Sequence, residues 1–248
     1  MRPARLLFGL AVAALCAACI AYVVHSFRWA EILAVVANAQ VPQMLLGASL
    51  AIVAYLWLRT ARWVLLLRAM GHPVPVSSAF EFTAFAVGIA VLTPASAAEM
   101  LKVELLERQS LGERVSGYSS FAAERVLDGL VLVVVGGAGA LQSGLLEGSG
   151  QSAAVTAACA LAAAALCAFM LGRRRASASG VLGTLLGTFT LGYRIYGPAL
   201  AITVAGWLCI AIGWQACFSS LAVEISFHGT LTVMALSTVL SVLTFIPG

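Results

Sequence analysis

The sequence predicts an all-α polytopic membrane protein with about five full spans and two re-entrant hairpin segments, arranged as an inverted repeat whose second half is incomplete. Three observations lead to this expectation. Only 10% of the 248 residues are charged and 62% are hydrophobic, whereas a soluble domain carries about 25% charged residues. Several apolar runs approach the roughly 20 residues that cross a bilayer. Two of these runs contain the same Val-Leu-Thr sequence shortly before a proline.

The charged and metal-ligating residues exclude several classes of function. The net charge of +4 arises from 14 Lys and Arg against 10 Asp and Glu, too few cations for nucleic-acid binding. The three histidines stand apart, and the six cysteines lie inside apolar runs without the spacing of a zinc site or a disulfide framework. We therefore expect no nucleic-acid partner, no metal and no cofactor.

Seven apolar runs are candidate membrane segments, and each is predicted to be helical because isolated runs in lipid satisfy their backbone groups only as helices. The first run follows a basic start and is longer than the roughly 7 to 15 apolar residues of a signal-peptide core. No cleavage site follows it, so we expect a retained span. The runs cover residues 6–24, 41–58, 79–92, 121–141, 153–171, 198–223 and 230–246.

The placement of lysine and arginine sets the expected orientation, because both are enriched in cytoplasmic loops. A full crossing by segment 79–92 would put Lys102 and the basic triplet 173–175 outside. If the segment instead enters from the cytoplasm and turns near Pro94, 12 cations lie inside, one outside and one within a span. We therefore predict a re-entrant hairpin over 79–107, a cytoplasmic N-terminus and a multi-pass location in a bacterial-type inner membrane. The cations that flank the inner end of the second span are then Arg59, Arg62 and Arg68.

A similarity between two distant segments predicts the internal repeat. Segment 90–94 reads Ala-Val-Leu-Thr-Pro, and segment 241–247 reads Ser-Val-Leu-Thr-Phe-Ile-Pro. On the predicted topology they enter the membrane from opposite faces, and interrupted apolar segments in corresponding halves are typical of transporters built from inverted repeats. Chance is the alternative, because Val-Leu-Thr is a common tripeptide in so apolar a chain.

The repeat divides one transmembrane domain, residues 1–248, into two regions. We place the first repeat region at 1–128 and the second at 129–248. The sequence stops inside an apolar segment at Gly248, so we expect a longer protein whose second hairpin is truncated here.

Most of the ionic chemistry is concentrated in segment 59–128, which holds 14 of the 24 charged residues. Ser96 and Glu99 fit a capping box, so a helix begins just after Pro94 and directs its positive end toward any anion at membrane depth. Capping alone is the alternative role for Glu99. Lys102 lies one turn further on the same helix face, and its alternative role is to snorkel to the headgroups.

Three further charges, Glu124, Arg125 and Asp128, lie inside the apolar run 121–141. A helix that enters near Ser119 places them roughly 8 to 14 Å deep, where each charge costs about 2.5 to 3.5 kcal/mol on insertion scales. Arg125 and Asp128 are spaced to pair. Glu124 and Asp128 share a face and repel unless one is protonated or a cation intervenes. Such charges are functional by default, and a structural Arg-Asp tether is the alternative.

Four motifs give the chain a family resemblance. They are Arg59-Thr-Ala-Arg62-Trp63, Thr93-Pro94-Ala-Ser-Ala-Ala-Glu99-Met-Leu-Lys102, Glu124-Arg125-Val-Leu-Asp128 and the terminal Phe-Ile-Pro247-Gly248. In order and spacing they resemble the flippase-like integral membrane family related to the transmembrane region of lysylphosphatidylglycerol synthases. The resemblance implies translocation of phospholipids or isoprenoid-linked lipids. The chain departs from the family at Ala98, where Gly is usual, and at Lys102, where Arg is frequent.

We therefore expect a translocase of phospholipid or isoprenoid-phosphate lipids, with an anionic or phosphate-bearing lipid as its partner and no catalytic residue. The predicted substrate-binding residues are the cations Arg125 and Lys102, the carboxylates Glu99, Glu124 and Asp128, and the helix-breaking Pro94 and Pro247. Two alternatives stay open: a non-transporting subunit that partners a lipid-modifying enzyme, and a membrane-embedded headgroup enzyme. The second alternative lacks an H-E-x-x-H or G-x-S-x-G motif. The oligomeric state is not predicted.

Overall fold

A computed structural model describes residues 21, 24–25, 27–90, 95–142 and 192–244. These residues form helices and, within the described ranges, no strand, so the all-α class is confirmed there. The helices are α1 (Trp29–Ala37), α2 (Val41–Ala69), α3 (Val76–Ala90), α4 (Ala95–Arg108), α5 (Arg114–Gln142), α6 (Tyr193–Ser220) and α7 (Phe227–Thr244).

Helices α2 and α6 are long and apolar enough to cross a membrane. They contain 29 and 28 residues, about 42 to 44 Å at 1.5 Å per residue, which exceeds the roughly 30 Å hydrocarbon core. Large apolar side chains on both helices are exposed instead of packed in a core, among them Leu46 and Leu50 at 63% and Ile212 at 58%. A soluble protein buries such residues, so this surface fits contact with lipid.

Small residues allow α2 and α6 to approach closely. A Cβ atom added at Gly47 would lie 2.7 Å from the Ala216 Cβ, and one added at Gly213 would lie 2.8 Å from the Ala51 Cβ. Glycine and alanine in such positions let the backbones of membrane helices come together. This seam fixes the position of α6 beside the charged half of α2.

Helices α3 and α4 form a hairpin whose two outer ends lie together. Their 15 and 14 residues extend about 21 to 22 Å, less than the hydrocarbon core. Val74, just before α3, and Leu106, near the end of α4, pack in one apolar cluster with Trp63. His72 also contacts Ser116 at the start of α5, with 2.9 Å between the ring Nε2 and the hydroxyl oxygen. The hairpin has the geometry predicted for segment 79–107, and its placement relative to the membrane stays a prediction.

Helix α5 contacts α2, α4, α6 and α7. Against α7 it presents glycines: a Cβ added at Gly136 would overlap the Cβ of Ala235, and one added at Gly139 would lie 2.7 Å from the carbonyl oxygen of His228. Its charged first half faces α2 and α4 instead. The central position of α5 therefore brings the charges of three helices together.

The connections that follow α2 and α6 have matching backbone geometry. Each has six residues, 70–75 and 221–226. At equivalent positions 151 residues apart, Gly71 (φ +88°) and Ala222 (φ +54°) adopt the left-handed conformation. The next amide donates to the carbonyl five residues earlier, at 3.0 and 2.9 Å respectively, as in a Schellman motif.

The same offset of 151 residues relates a pair that lies in contact across the seam. Tyr55 packs over Gly206, where an added Cβ would be 3.4 Å from the Tyr55 ring. Contact between equivalent residues is expected near a two-fold axis that relates two repeats. The repeated Val-Leu-Thr at 91–93 and 242–244 also has this offset. The correspondence favours an internal repeat, and the division into regions 1–128 and 129–248 stays a prediction.

The predicted inner end of the second span was wrong. Arg59 and Arg62 were expected to flank a span that ended at residue 58, but α2 continues to Ala69. Both arginines are buried, at 7% and 3% exposure, and Trp63 is fully buried. The apolar residues 64–67 continue the run beyond the arginines, so the helix packs its charges inward instead of ending at them.

The other segments can be compared only where the structure describes them. Residues 29–37, between the predicted spans 6–24 and 41–58, are helical. Of the predicted span 6–24 only residues 21 and 24 are described, and the predicted span 153–171 lies outside the described residues. Segments 79–92, 121–141, 198–223 and 230–246 correspond to α3, α5, α6 and α7.

Candidate functional site

Seven charged side chains from three helices meet inside the protein, and we call them the ionic cluster. Six of them are less than a tenth exposed, whereas the Arg125 side chain is 36% exposed. Among the described residues, four cations face three carboxylates, which leaves one positive charge in excess there. The members are Arg59 and Arg62 of α2, Glu99 and Lys102 of α4, and Glu124, Arg125 and Asp128 of α5.

Helical spacing explains why each helix contributes its charges from one face. The α2 and α4 pairs are three residues apart, and Glu124 and Asp128 are four apart, so the members of each pair are neighbours on the helix surface. The three faces converge because α5 packs against both α2 and α4. The cluster therefore depends on tertiary packing rather than on any one motif.

Arg62 bridges the two carboxylates of α5. Its Nη1 and Nη2 donate to the Asp128 Oδ1 and Oδ2 at 2.6 and 3.2 Å, the forked geometry that suits arginine. Its Nε and Nη2 also donate to the Glu124 Oε1, both at 3.4 Å. Nη1 reaches the Thr203 Oγ1 of α6 at 2.8 Å. The spacing of Glu124 and Asp128 predicted that one of them is protonated or that a cation lies between them. Arg62 is that cation.

Lys102 is enclosed at the centre of the cluster. It is 1% exposed and forms a close ion pair with Glu124, to which its Nζ donates a hydrogen bond. The Nζ also lies 4.8 Å from the Trp63 ring centroid and 5.9 Å from that of Phe121, within the range of cation–π attraction. The alternative in which Lys102 snorkels to the headgroups is therefore wrong.

Arg59 and Arg125 converge on one oxygen of Glu99. Their Nη2 atoms lie 2.5 and 2.9 Å from the Glu99 Oε2. Arg125 also pairs with Asp128, at 2.9 Å between Nη2 and Oδ2, which confirms the predicted pairing. The contacts have ion-pair distances but not hydrogen-bond angles. In the described part of the chain, the Nε and Nη2 of both arginines have no hydrogen-bond partner.

A small cavity borders the cluster between α2 and α6. Its volume is about 10 Å³, enough for about one water molecule. The cavity is lined by Tyr55, Thr203, Gly206 and Trp207 together with three cluster residues, and the Trp207 Nε1 donates to the Asp128 Oδ1 at 3.3 Å. A lipid headgroup needs far more space than this cavity provides.

The structure brings together five of the seven predicted site residues. The other two, Pro94 and Pro247, lie outside the described residues, as does the side chain of Ser96 in the predicted capping box. Capping alone does not describe Glu99, because its carboxylate contacts two arginines. The five that meet are Glu99, Lys102, Glu124, Arg125 and Asp128.

Sequence reasoning missed Arg59 and Arg62 as site residues. Two signals were available: their spacing on one helix face, and the apolar residues 64–67 beyond them. The described residues contain no group of three His, Cys, Asp or Glu side chains suited to a metal ion. Each carboxylate of the cluster is instead paired with a cation.

Comparison with known proteins identifies the family. The family model described as "Lysylphosphatidylglycerol synthase TM region" matches residues 6–248. No curated protein and no solved structure matches the chain. The resemblance drawn from the four motifs is thereby confirmed. Because the match covers nearly the whole chain and the described helices are apolar, the chain belongs to the lysylphosphatidylglycerol synthase transmembrane-region family, a membrane family linked to lipid handling.

Proposed function

We propose that the protein translocates an anionic or phosphate-bearing lipid across the membrane, and that the lipid headgroup passes through the ionic cluster. The observation that carries this proposal is the excess cation among seven clustered charges. Burying an uncompensated charge costs several kcal/mol. Six of the seven charges are buried, and a bound anion would compensate the cation in excess.

The carboxylates make anion exchange feasible. Each cation already has a carboxylate partner, so a phosphate replaces one partner instead of meeting a bare, desolvated charge. To the predicted cations Arg125 and Lys102 the structure adds Arg59 and Arg62. Arginine binds phosphate through a planar fork, and lysine binds it as a point charge. The cluster thus combines both kinds of phosphate-binding side chain.

The hairpin of α3 and α4 is, on this proposal, the re-entrant element, with both ends in the cytoplasm of a multi-pass inner-membrane protein. Its helices are too short to cross. The open end of the hairpin carries a network accessible to water, in which the Arg114 Nη2 and Nε lie 2.8 and 2.6 Å from Glu104 and Glu107. These side chains are 34 to 54% exposed, as expected for a membrane–water boundary.

The closed cavity implies that the lipid enters another conformation of the site. Inverted repeats provide such a conformation, because one repeat rocks against the other around a central binding site. The matching connections after α2 and α6 support two related halves of this kind. A second candidate function, suggested by the synthase in the family description, is a non-transporting subunit that positions a lipid-modifying enzyme.

Variants of Arg125 test the proposed role of the cluster. In proteoliposomes, Arg125→Ala should abolish movement of phosphatidylglycerol without preventing membrane insertion. Arg125→Lys should retain part of the activity, because the charge survives and the fork does not. The matched control is Arg114→Ala, which removes an exposed arginine from the same helix and should transport normally. Normal transport by Arg125→Ala, or loss of its fold alone, would make the cluster a structural tether.

A further inference from the structure

The ionic cluster contains two groups that differ in how their charges are satisfied. The inner group is Arg62, Lys102, Glu124 and Asp128, and the outer triad is Arg59, Glu99 and Arg125. Hydrogen bonds link the inner group: Arg62 donates to both α5 carboxylates, and Lys102 donates to Glu124. No hydrogen bond of acceptable geometry joins the members of the outer triad in the described structure.

The outer triad brings two guanidinium groups to a single carboxylate oxygen. Both Nη2 atoms lie within 3 Å of the Glu99 Oε2, and neither is aligned for a hydrogen bond. Arg59 is 93% buried, since only 7% of it is exposed, and its Nε is also without a partner. Arginine provides five donors in a fixed fork. Because the two arginines share one Glu99 oxygen, buried guanidinium donors are left without a hydrogen-bond acceptor.

A phosphate fits this arrangement better than the carboxylate does. A phosphodiester presents two non-ester oxygens, and a phosphomonoester presents three, so each guanidinium can bind an oxygen of its own. Arginine is favoured wherever phosphate is bound in this forked manner. The geometry of the triad therefore suits the binding of an anion larger than a carboxylate by the two arginines.

Access also distinguishes the triad from the inner group. Arg125 is the exposed member of the cluster, at 36%, whereas Lys102 and Glu124 are at most 1% exposed. Glu99 belongs to the hairpin helix α4, and its two partners belong to α2 and α5. A shift of α4 alone would therefore withdraw the carboxylate and leave both arginines in place.

We propose that the Glu99 carboxylate occupies the position of the ligand's phosphate, and that a phosphate mono- or diester displaces it to bind between Arg59 and Arg125. Glu99 is then an intramolecular competitor that keeps the empty site compensated. The identity of the ligand as a membrane lipid rests on the proposed function. The docking position itself rests on the triad alone.

The test is the ligand-induced rise in the melting temperature of the full chain purified in detergent. Three probes are added separately: phosphatidylglycerol, phosphatidylcholine and inorganic phosphate. Glu99→Gln should melt below the unsubstituted protein without a probe, because Arg59 loses its counter-ion and Arg125 keeps only Asp128. With phosphatidylglycerol, the melting temperature of Glu99→Gln should rise more than that of the unsubstituted protein. The rise should also occur at about tenfold lower lipid concentration if Glu99 blocks roughly 90% of the empty sites.

The matched control is Glu107→Gln on the same helix. Glu107 also pairs with an arginine, Arg114 at 2.6 Å, but its side chain is 43% exposed. The substitution should leave the response to every probe unchanged. Glu99→Asp guards against a failure of Glu99→Gln to fold, because it keeps the charge and withdraws it by one methylene. Its affinity for phosphatidylglycerol should lie between those of the unsubstituted protein and Glu99→Gln.

Each outcome decides between the possible roles. If the folded Glu99 variants bind phosphatidylglycerol no more tightly than the unsubstituted protein, Glu99 is a structural counter-ion and the inference is wrong. A tighter response to inorganic phosphate alone would support the docking position and contradict a lipid ligand, and with it the proposed function. A tighter response to phosphatidylglycerol supports both. An equal gain with phosphatidylcholine would show that the phosphate itself, and not the net charge of the lipid, is recognised.

Discussion

At the residue scale, Arg62 is the side chain on which the inner group depends. It contacts both carboxylates of α5 and reaches Thr203 on α6, so its removal leaves two buried carboxylates short of a cation. We predict that Arg62→Met lowers the free energy of unfolding by about 3 to 5 kcal/mol, the usual cost of breaking a buried pair.

Denaturant-induced unfolding in detergent measures this cost. Arg114→Met is the control, because it removes an arginine with two carboxylate partners that is 54% exposed. Exposed pairs contribute about 0 to 1 kcal/mol. Equal effects of the two substitutions would show that the inner group does not support the fold.

The sequence revealed part of the cluster because charges inside apolar runs are conspicuous. Glu124, Arg125 and Asp128 were recognised in this way, and Lys102 was placed on the same helix face as Glu99. Only the pairing of Arg125 with Asp128, within one helix, was predicted, because the other partners lie on other helices. Arg59 was expected to flank the inner end of the second span, since arginine after an apolar run usually marks the cytoplasmic end of a span. Only packing against α4 and α5 shows that it points inward.

At the element scale, the hairpin of α3 and α4 supplies Glu99 and Lys102 to the cluster. The two helices return to the same end, where Val74 and Leu106 pack together. The sequence predicted such a hairpin from the distribution of cations. The sequence did not predict that α2 continues to Ala69. The enrichment of arginine in cytoplasmic loops was used to locate the inner end of the span, and this criterion treats every arginine as a flanking residue.

Cysteine accessibility tests the placement of the hairpin in the membrane. In a cysteine-free background, Ser110→Cys should be protected from an impermeant reagent added to intact cells, and Ser149→Cys should react. Ser110 is exposed in the connection between α4 and α5, so its protection would reflect the membrane side and not burial. Ser149 lies outside the described residues and represents the predicted outer loop. Labelling of Ser110→Cys from outside would contradict the re-entrant arrangement.

At the scale of the whole molecule, the structure combines two features that a lipid translocase requires. Its surface is apolar where α2 and α6 face outward, and its interior holds a charged cluster with one cation in excess. The matching connections 151 residues apart favour two related halves. On the proposed function, a polar headgroup leaves the aqueous boundary for the cluster while its acyl chains remain in lipid.

The most direct measurement of this claim is headgroup accessibility in proteoliposomes that contain the purified chain. Fluorescent phosphatidylglycerol, an isoprenoid phosphate lipid and phosphatidylcholine are each exposed to an impermeant reductant, with protein-free liposomes as the reference. If the protein translocates anionic lipids, the inner-leaflet pool of a fluorescent anionic lipid should be reduced faster than the inner-leaflet pool of fluorescent phosphatidylcholine. Movement of no lipid above the reference, together with recovery of a stoichiometric lipid-modifying enzyme, would contradict translocation and favour a partner subunit.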